Sequence, residues 1–171
     1  ESIASLLPQL RDALKGQVIT PDHPGYEEAR TIFYGGFDRR PAAIVRVTDV
    51  GDVVHVINFA RETGAELAVR GGGHSIAGYS TTEGGIVLDL SGMKGLTIDV
   101  EGRTAWAEAG LTAGEYTTAA AAHGLATGFG DTGSVGIVGI TLGGGIGYLV
   151  RKNGLTIDDL LAAEMVTADG R

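Results

Sequence analysis

Cysteine is absent from the 171 residues. Disulfides and thiolate–metal sites are therefore excluded, and redox chemistry says nothing about compartment. Proline occurs four times and tryptophan once. No stretch approaches ~20 unbroken apolar residues, so the sequence offers no candidate for a membrane-spanning helix. Positive charge is in deficit: 13 Lys and Arg against 21 Asp and Glu leave a formal charge of −8. Without a basic footprint, neither nucleic acid nor an anionic membrane is an expected partner. A Gly-Lys-Ser/Thr phosphate loop is lacking, as is a His-Glu-x-x-His cluster. No metal site is expected. His55 falls inside a helical pattern, His123 at a helix end where the dipole favours positive charge, and His23 in a proline-rich loop. All three read as structural.

Glycine is abundant instead, with 29 residues against a usual share of about 7%. The glycines cluster between apolar runs and follow no collagen-like repeat. That suits a fold whose backbone approaches a ligand at several places. A hydrophobic fraction of 43% is ample for a core, and the length suits one domain.

Apolar residues at Ile3, Leu6, Leu7, Leu10 and Leu14 predict a helix strained by Pro8. Residues 17–19 and 43–47 predict strands, with a short helix near residues 27–32 between them. Thr48 is the expected N-cap of a helix over residues 49–63, with Gly64 as its stop. Val50, Val53, Val54, Ile57 and Ala60 form its expected inner face. Residues 65–69 return as a strand, which makes a β-α-β unit. Strands follow at 86–89, 96–100 and 104–107. Thr112 and Glu115 read as a capping box at the start of an alanine-rich helix ending near Gly124. Residues 160–167 predict a last strand before the Asp169-Gly170 turn. A strand that ends in a turn with no partner is the signal of a longer chain.

The stretch at the end of the second strand of that β-α-β unit organises the rest. It reads Arg70-Gly71-Gly72-Gly73-His74-Ser75-Ile76-Ala77-Gly78-Tyr79-Ser80. Three glycines remove every side chain from the turn, so the backbone can take positive φ and point successive N–H groups into one concavity. Arg70 at its mouth offers a guanidinium suited to phosphate. His74 then lies beside whatever the loop holds. On the motif alone a glycine-rich surface turn with a solvated histidine stays open. Ser75 beside His74 is no triad, since no nucleophile elbow is present. A second glycine-rich block runs from Gly130 through Asp131, Thr132, Gly133, Ser134, Val135 and Gly136 to Leu142-Gly143-Gly144-Gly145-Ile146-Gly147-Tyr148. It is no dinucleotide fingerprint, because Tyr148 stands where the third glycine belongs. Its glycines read as places of close packing. Tyr148 either flanks a ligand or is an ordinary buried tyrosine.

These blocks, with Asn153 to Asp159 and Val166 to Gly170, resemble the FAD-linked oxidases of the vanillyl-alcohol oxidase/PCMH superfamily, in the berberine-bridge-enzyme-like branch. The resemblance runs from about Tyr26 to the end. It implies an α+β fold, a PCMH-type FAD-binding domain over residues 1–171. Its two small lobes would span about 1–80 and 81–171. By resemblance, Arg70, Gly71, Gly72, Gly73, His74, Ser75, Tyr79 and Ser80 bind the cofactor. So do Asp131, Thr132, Ser134, Gly136, Gly139, Ile140, Gly145, Gly147 and Val166. His74 is the implied covalent attachment to the flavin 8α carbon. Many relatives add a second attachment through cysteine; Thr132 stands there and cannot form a thioether, so a single attachment is expected.

The implied activity is oxidation of a small-molecule substrate by hydride transfer to FAD, with dioxygen as electron acceptor. The catalytic base would lie in a substrate domain of the protein's own C-terminal region, beyond this sequence. The residues here alone are expected to bind FAD and turn over poorly. Two alternatives remain: a noncovalent FAD-binding subunit that relays electrons in a larger complex, and a non-catalytic ligand-binding module on the same fold. Compartment is open, with a soluble cytoplasmic setting the working expectation.

Overall fold

A computed structural model describes residues 3–171. The described residues fold as an α+β domain that divides into two compact units, residues 1–92 with Met165–Arg171 and Met93–Glu164.

The first unit begins with helix α1 (Ile3–Ala13), which buries Leu7 and Leu10 and carries Pro8 inside it. Strand β1 (Gln17–Ile19), helix α2 (Tyr26–Arg30), strand β2 (Ala43–Arg46), helix α3 (Val50–Thr63), strand β3 (Leu67–Arg70) and strand β4 (Ile86–Asp89) follow. The sheet order is β1-β2-β4-β3. β1 runs antiparallel to β2, while β4 is parallel to both β2 and β3. All four β4 residues are buried. That fits the apolar run of Ile86, Val87 and Leu88, since a strand covered on both faces needs no polar alternation, while the buried Asp89 at its end pairs with Arg46. The register lines up Ile19, Ile44, Val87 and Ala68 in one row across the sheet. Those four pack with Tyr26 as one core cluster. The Tyr26 hydroxyl donates to the Pro41 carbonyl at 2.7 Å, so the one polar atom on that ring is satisfied.

β4 corrects the expected lobe boundary near residue 80. It lies between β2 and β3 and completes the first sheet, so the first unit extends to Gly92.

Helix α3 also differs from expectation in cap and face. Asp49, not Thr48, is its N-cap, accepting from the Asp52 amide at 3.0 Å. Its buried residues are Asp52, Val53, Val56 and Ala60, while Val50 is exposed. The reason is Asp52. Its carboxylate accepts the amides of Lys15 (2.9 Å), Gly16 (3.0 Å) and Thr48 (3.0 Å) and the Thr48 hydroxyl (3.0 Å). A buried charge needs such partners, so the helix turns Asp52 inward and Val50 outward. Gly64 ends α3 in the left-handed region at φ +68°, as expected.

The second unit opens with the hairpin β5 (Leu96–Asp99) and β6 (Thr104–Ala107). Helix α4 (Ala113–Ala121) starts at the expected capping box. The Glu115 amide donates to Thr112 Oγ1 (3.3 Å) and the Thr112 amide to Glu115 Oε2 (2.8 Å). Lys94 also reaches Glu115 at 2.6 Å. Short helices α5 (Ile137–Leu142) and α6 (Val150–Asn153) follow, then a 3-10 turn over Thr156–Asp159. Leu111, Ala113, Phe129 and Ile137 form this unit's core, with Tyr116 edge-on to Phe129 at 4.9 Å.

Residues 160–167 are not a strand. A strand exists only through ladder partners, and no ladder among the described residues includes this stretch. Leu161 and Met165 stand exposed within it.

Candidate functional site

β3 ends at Arg70 and delivers the glycine loop at the carboxyl edge of the sheet. Of the three successive glycines only Gly73 takes positive φ, +72°. A β-carbon there would meet nothing closer than Arg70 Cδ at 4.0 Å, so conformation, not crowding, calls for glycine. The Gly73 carbonyl accepts the Phe33 amide at 3.2 Å. Beyond it the His74 ring lies against Phe33, with centroids 4.1 Å apart and planes 19° from parallel. His74 is half-buried, and burial holds its imidazole below the ordinary histidine pKa. The neutral ring, with an available lone pair, is thereby favoured.

Arg70 does not sit at an open mouth. Its guanidinium is buried; Nε donates to the Ser80 carbonyl (3.1 Å) and Nη1 to the Ala29 carbonyl (2.5 Å). Burial pushes it below the ordinary arginine value, against the pull of Asp89. Arg70, Asp89 and Arg46 stand in register across the strand ends, with Arg46 Nε 3.3 Å from Asp89. Arg70 therefore braces the loop from behind.

Past His74 the chain makes a tight return. Ser75 accepts the Gly78 amide on its carbonyl (3.1 Å) and the Tyr79 amide on Oγ (3.1 Å). Gly78 has φ +71°, and a β-carbon there would lie 2.6 Å from the Phe37 ring. Arg39 Nη1 ties the Gly78 and Thr81 carbonyls, both at 2.9 Å. Tyr79 and Ile76 are exposed; Ser80, Thr81 and Thr82 are buried.

Among the described residues, Arg70 Nη2, Ser80 Oγ, Thr81 Oγ1 and Thr82 Oγ1 are buried without a hydrogen-bond partner. Leaving such groups unpaired costs about 1–3 kcal/mol each. Four from one loop and its flank mark a place completed by a polar ligand or ordered water. One guanidinium N–H and three hydroxyls are a donor set that suits a diphosphate, so the residues present fit a dinucleotide such as FAD. Val166 belongs to the same unit and is half-buried.

The remaining expected site residues lie in the second unit. The loop carrying Asp131, Thr132 and Ser134 runs beside the start of α4: the Val135 and Gly133 carbonyls accept the Ala113 and Gly114 amides, each at 2.8 Å. Asp131, Thr132 and Ser134 are exposed, and Thr132 Oγ1 donates to Asp131 at 2.9 Å. Gly136 is the N-cap of α5, which carries Gly139 and Ile140. A β-carbon on Gly139 would meet no atom within 4 Å, which leaves that backbone open to close approach. Gly145 and Gly147 are packing glycines, as expected. A β-carbon on Gly145 would overlap the Thr156 hydroxyl, and one on Gly147 would lie 2.9 Å from the Gly130 nitrogen. Thr156 is the brace: its amide (2.9 Å) and hydroxyl (3.2 Å) both donate to the Gly145 carbonyl, and the hydroxyl also reaches the Gly128 carbonyl. Tyr148 is exposed, so it is not a buried core tyrosine.

Phe33, Phe37, Arg39, Thr81 and Thr82 were not legible as site residues in the sequence. The Phe33-Tyr34 pair at the end of α2 was the available signal. His55 and His123 are exposed, and His23 accepts the Gly25 amide on Nδ1 at 3.0 Å. No group of metal-ligating side chains occurs among the described residues.

An FAD-binding domain family model matches residues 41–171. (R)-6-hydroxynicotine oxidase of Paenarthrobacter nicotinovorans is 40% identical over 158 residues, 92% of this chain and 34% of that protein. The crystal structure of 6-hydroxy-D-nicotine oxidase from Arthrobacter nicotinovorans superposes with a TM-score of 0.90 at 40% identity, over 92% of this chain and 35% of that one. The Physcomitrella patens BBE-like 1 structure superposes with a TM-score of 0.91 at 32% identity, over 96% of this chain and 36% of that one. The chain thus spans about a third of the length of these relatives. It belongs to the FAD-binding domains of the vanillyl-alcohol oxidase/PCMH superfamily, in the berberine-bridge-enzyme-like branch.

Proposed function

We propose that this chain is the FAD-binding part of an oxidase that holds its flavin covalently through His74. Membership of a family of FAD-linked oxidoreductases supports the redox class. The observation that carries the covalent reading is the His74 imidazole, set directly after the positive-φ Gly73 of the proposed diphosphate loop and stacked on Phe33, with burial lowering its pKa. When bound, the flavin would supply the redox chemistry, taking a hydride from a small-molecule substrate and yielding the electron pair to dioxygen.

The chain's own residues would bind and orient. Amides of residues 71–75 would hold the diphosphate, with the buried Arg70 bracing their loop through the Ser80 and Ala29 carbonyls. The loop of Asp131, Thr132 and Ser134, with Gly136, Gly139 and Ile140, would line the ring and its ribityl chain. Attachment of the imidazole to the 8α carbon would take one proton from the imidazole and one from the methyl group, and the two electrons so released would go to dioxygen as hydrogen peroxide. Thr132 has no thiol, so a single attachment is proposed.

Acid precipitation tests the reading. A yellow pellet from the wild-type protein and a colourless one from His74→Ala are expected. Yellow supernatant from wild type means a noncovalent flavin, and no colour in either fraction means no flavin site.

A further inference from the structure

We propose that Phe33 is the positioning residue for His74: its ring is the platform that fixes the imidazole plane for attack on the flavin. The inference rests on the His74 attachment proposed above and assigns a role to a residue outside the glycine loop.

Phe33 is placed for this by its backbone. Its neighbour Ile32, just past the end of α2, is buried, while the Phe33 amide is bonded to the Gly73 carbonyl at 3.2 Å. One backbone bond therefore sets the two rings side by side. They stack at 4.1 Å and 19°. Tyr34 meets Phe33 edge-on, 5.1 Å between centroids and 88° between planes, which limits the freedom of the platform itself. Core packing does not explain Phe33, because the residue is 60% exposed.

Attack by an imidazole nitrogen is directional. The terminal torsion of a histidine is broad and roughly two-fold, so an unsupported ring would spend much of its time with the lone pair off line. A flat aromatic face against one side removes that rotation and leaves the ring edge, with its nitrogens, to face the cofactor. The same contact excludes water from one face of the imidazole, in the direction that favours the neutral ring.

The test compares wild type, Phe33→Leu, Phe33→Tyr and, as blank, His74→Ala. FAD is added to cofactor-free protein, and acid-stable flavin is followed by fluorescence in denaturing gels. The His74 ring protons are observed by NMR in the same cofactor-free samples. Phe33→Leu keeps apolar bulk without the ring, and uptake should slow on the order of tenfold to a hundredfold, the penalty of lost orientation. Phe33→Tyr should stay close to the wild-type rate. The ring-current displacement of the His74 signals should vanish in Phe33→Leu and persist in Phe33→Tyr, an effect that simple loss of stability does not produce. If Phe33→Leu folds poorly, Phe33→Met is read in its place. Wild-type uptake by the non-aromatic variant, or unmoved His74 signals, overturns the role of Phe33 alone. A wild-type protein that takes up no acid-stable flavin overturns the attachment itself, and the platform with it.

Discussion

At the scale of single residues, protonation of His74 gives the sharpest expectation. Its pKa lies below the ordinary value of 6.5 because burial disfavours the imidazolium. Only the neutral ring can attack. Attachment should therefore run at a constant rate at and above neutral pH and fall only with a midpoint below 6.5. Rates of acid-stable flavin uptake from about pH 5 to about pH 8 check this; a midpoint above the ordinary value would contradict it. The same shift sets a sign for stability. The unfolded chain takes up its proton first on acidification, so the His74 contribution is whole above 6.5 and is lost as pH falls through the native value. Gly78 carries a second expectation. Alanine there must hold φ +71° and drive its β-carbon against Phe37. Gly78→Ala should cost about 2 kcal/mol or more, read by thermal melting. The loop around His74 was legible because three glycines stand together. The need for glycine at 78 was not, since it comes from a ring far off in sequence. Arg70 shows the same limit: residue type fixed its charge, but the Ala29 and Ser80 carbonyls decided where it points.

At the scale of elements, Asp52 holds together the end of α1, the exit of β2 and the first turn of α3. Burial pushes its carboxyl up, yet the amides of Lys15 and Thr48 and the Thr48 hydroxyl outweigh that and leave it below 3.8. Its contribution is present above that value and is lost as pH falls through the lower native one. Asp52→Ala should remove about 3 kcal/mol, measured by urea unfolding, because three amide donors lose their acceptor. Thr112→Ala, at the capping box of α4, should cost about 1 kcal/mol by the same measurement. Local signals read well here. The Gly64 stop, the Thr112 box and the strand at Ile86–Asp89 stand where the sequence put them. The α3 face and the strand expected at 160–167 do not, because one is set by a buried charge on a neighbouring element and the other by pairing. Neither is written within the segment itself.

For the whole molecule, ligand binding and folding share one balance. A dinucleotide that binds the folded chain and not the unfolded one stabilises the native state alone. At about a hundred times its Kd, FAD should add about 2.7 kcal/mol. His74→Ala keeps that binding reversible, so its melting temperature should climb with the logarithm of FAD concentration; an unmoved melt would count against the site. The order of the three glycine- and aspartate-bearing blocks made the family legible from sequence. The division into units was not, since β4 pairs on both sides with strands that precede it.

The tail adds a topological consequence. Arg61 donates to the Asp169 carbonyl at 2.6 Å, and Gly170 abuts Asn58, so residues 165–171 return to the unit where the chain began. The backbone therefore crosses from one unit to the other twice, near residue 92 and near residue 164. One proteolytic nick at either crossing leaves the inserted piece covalently joined to one part of the first unit, and only a double cut frees it from both.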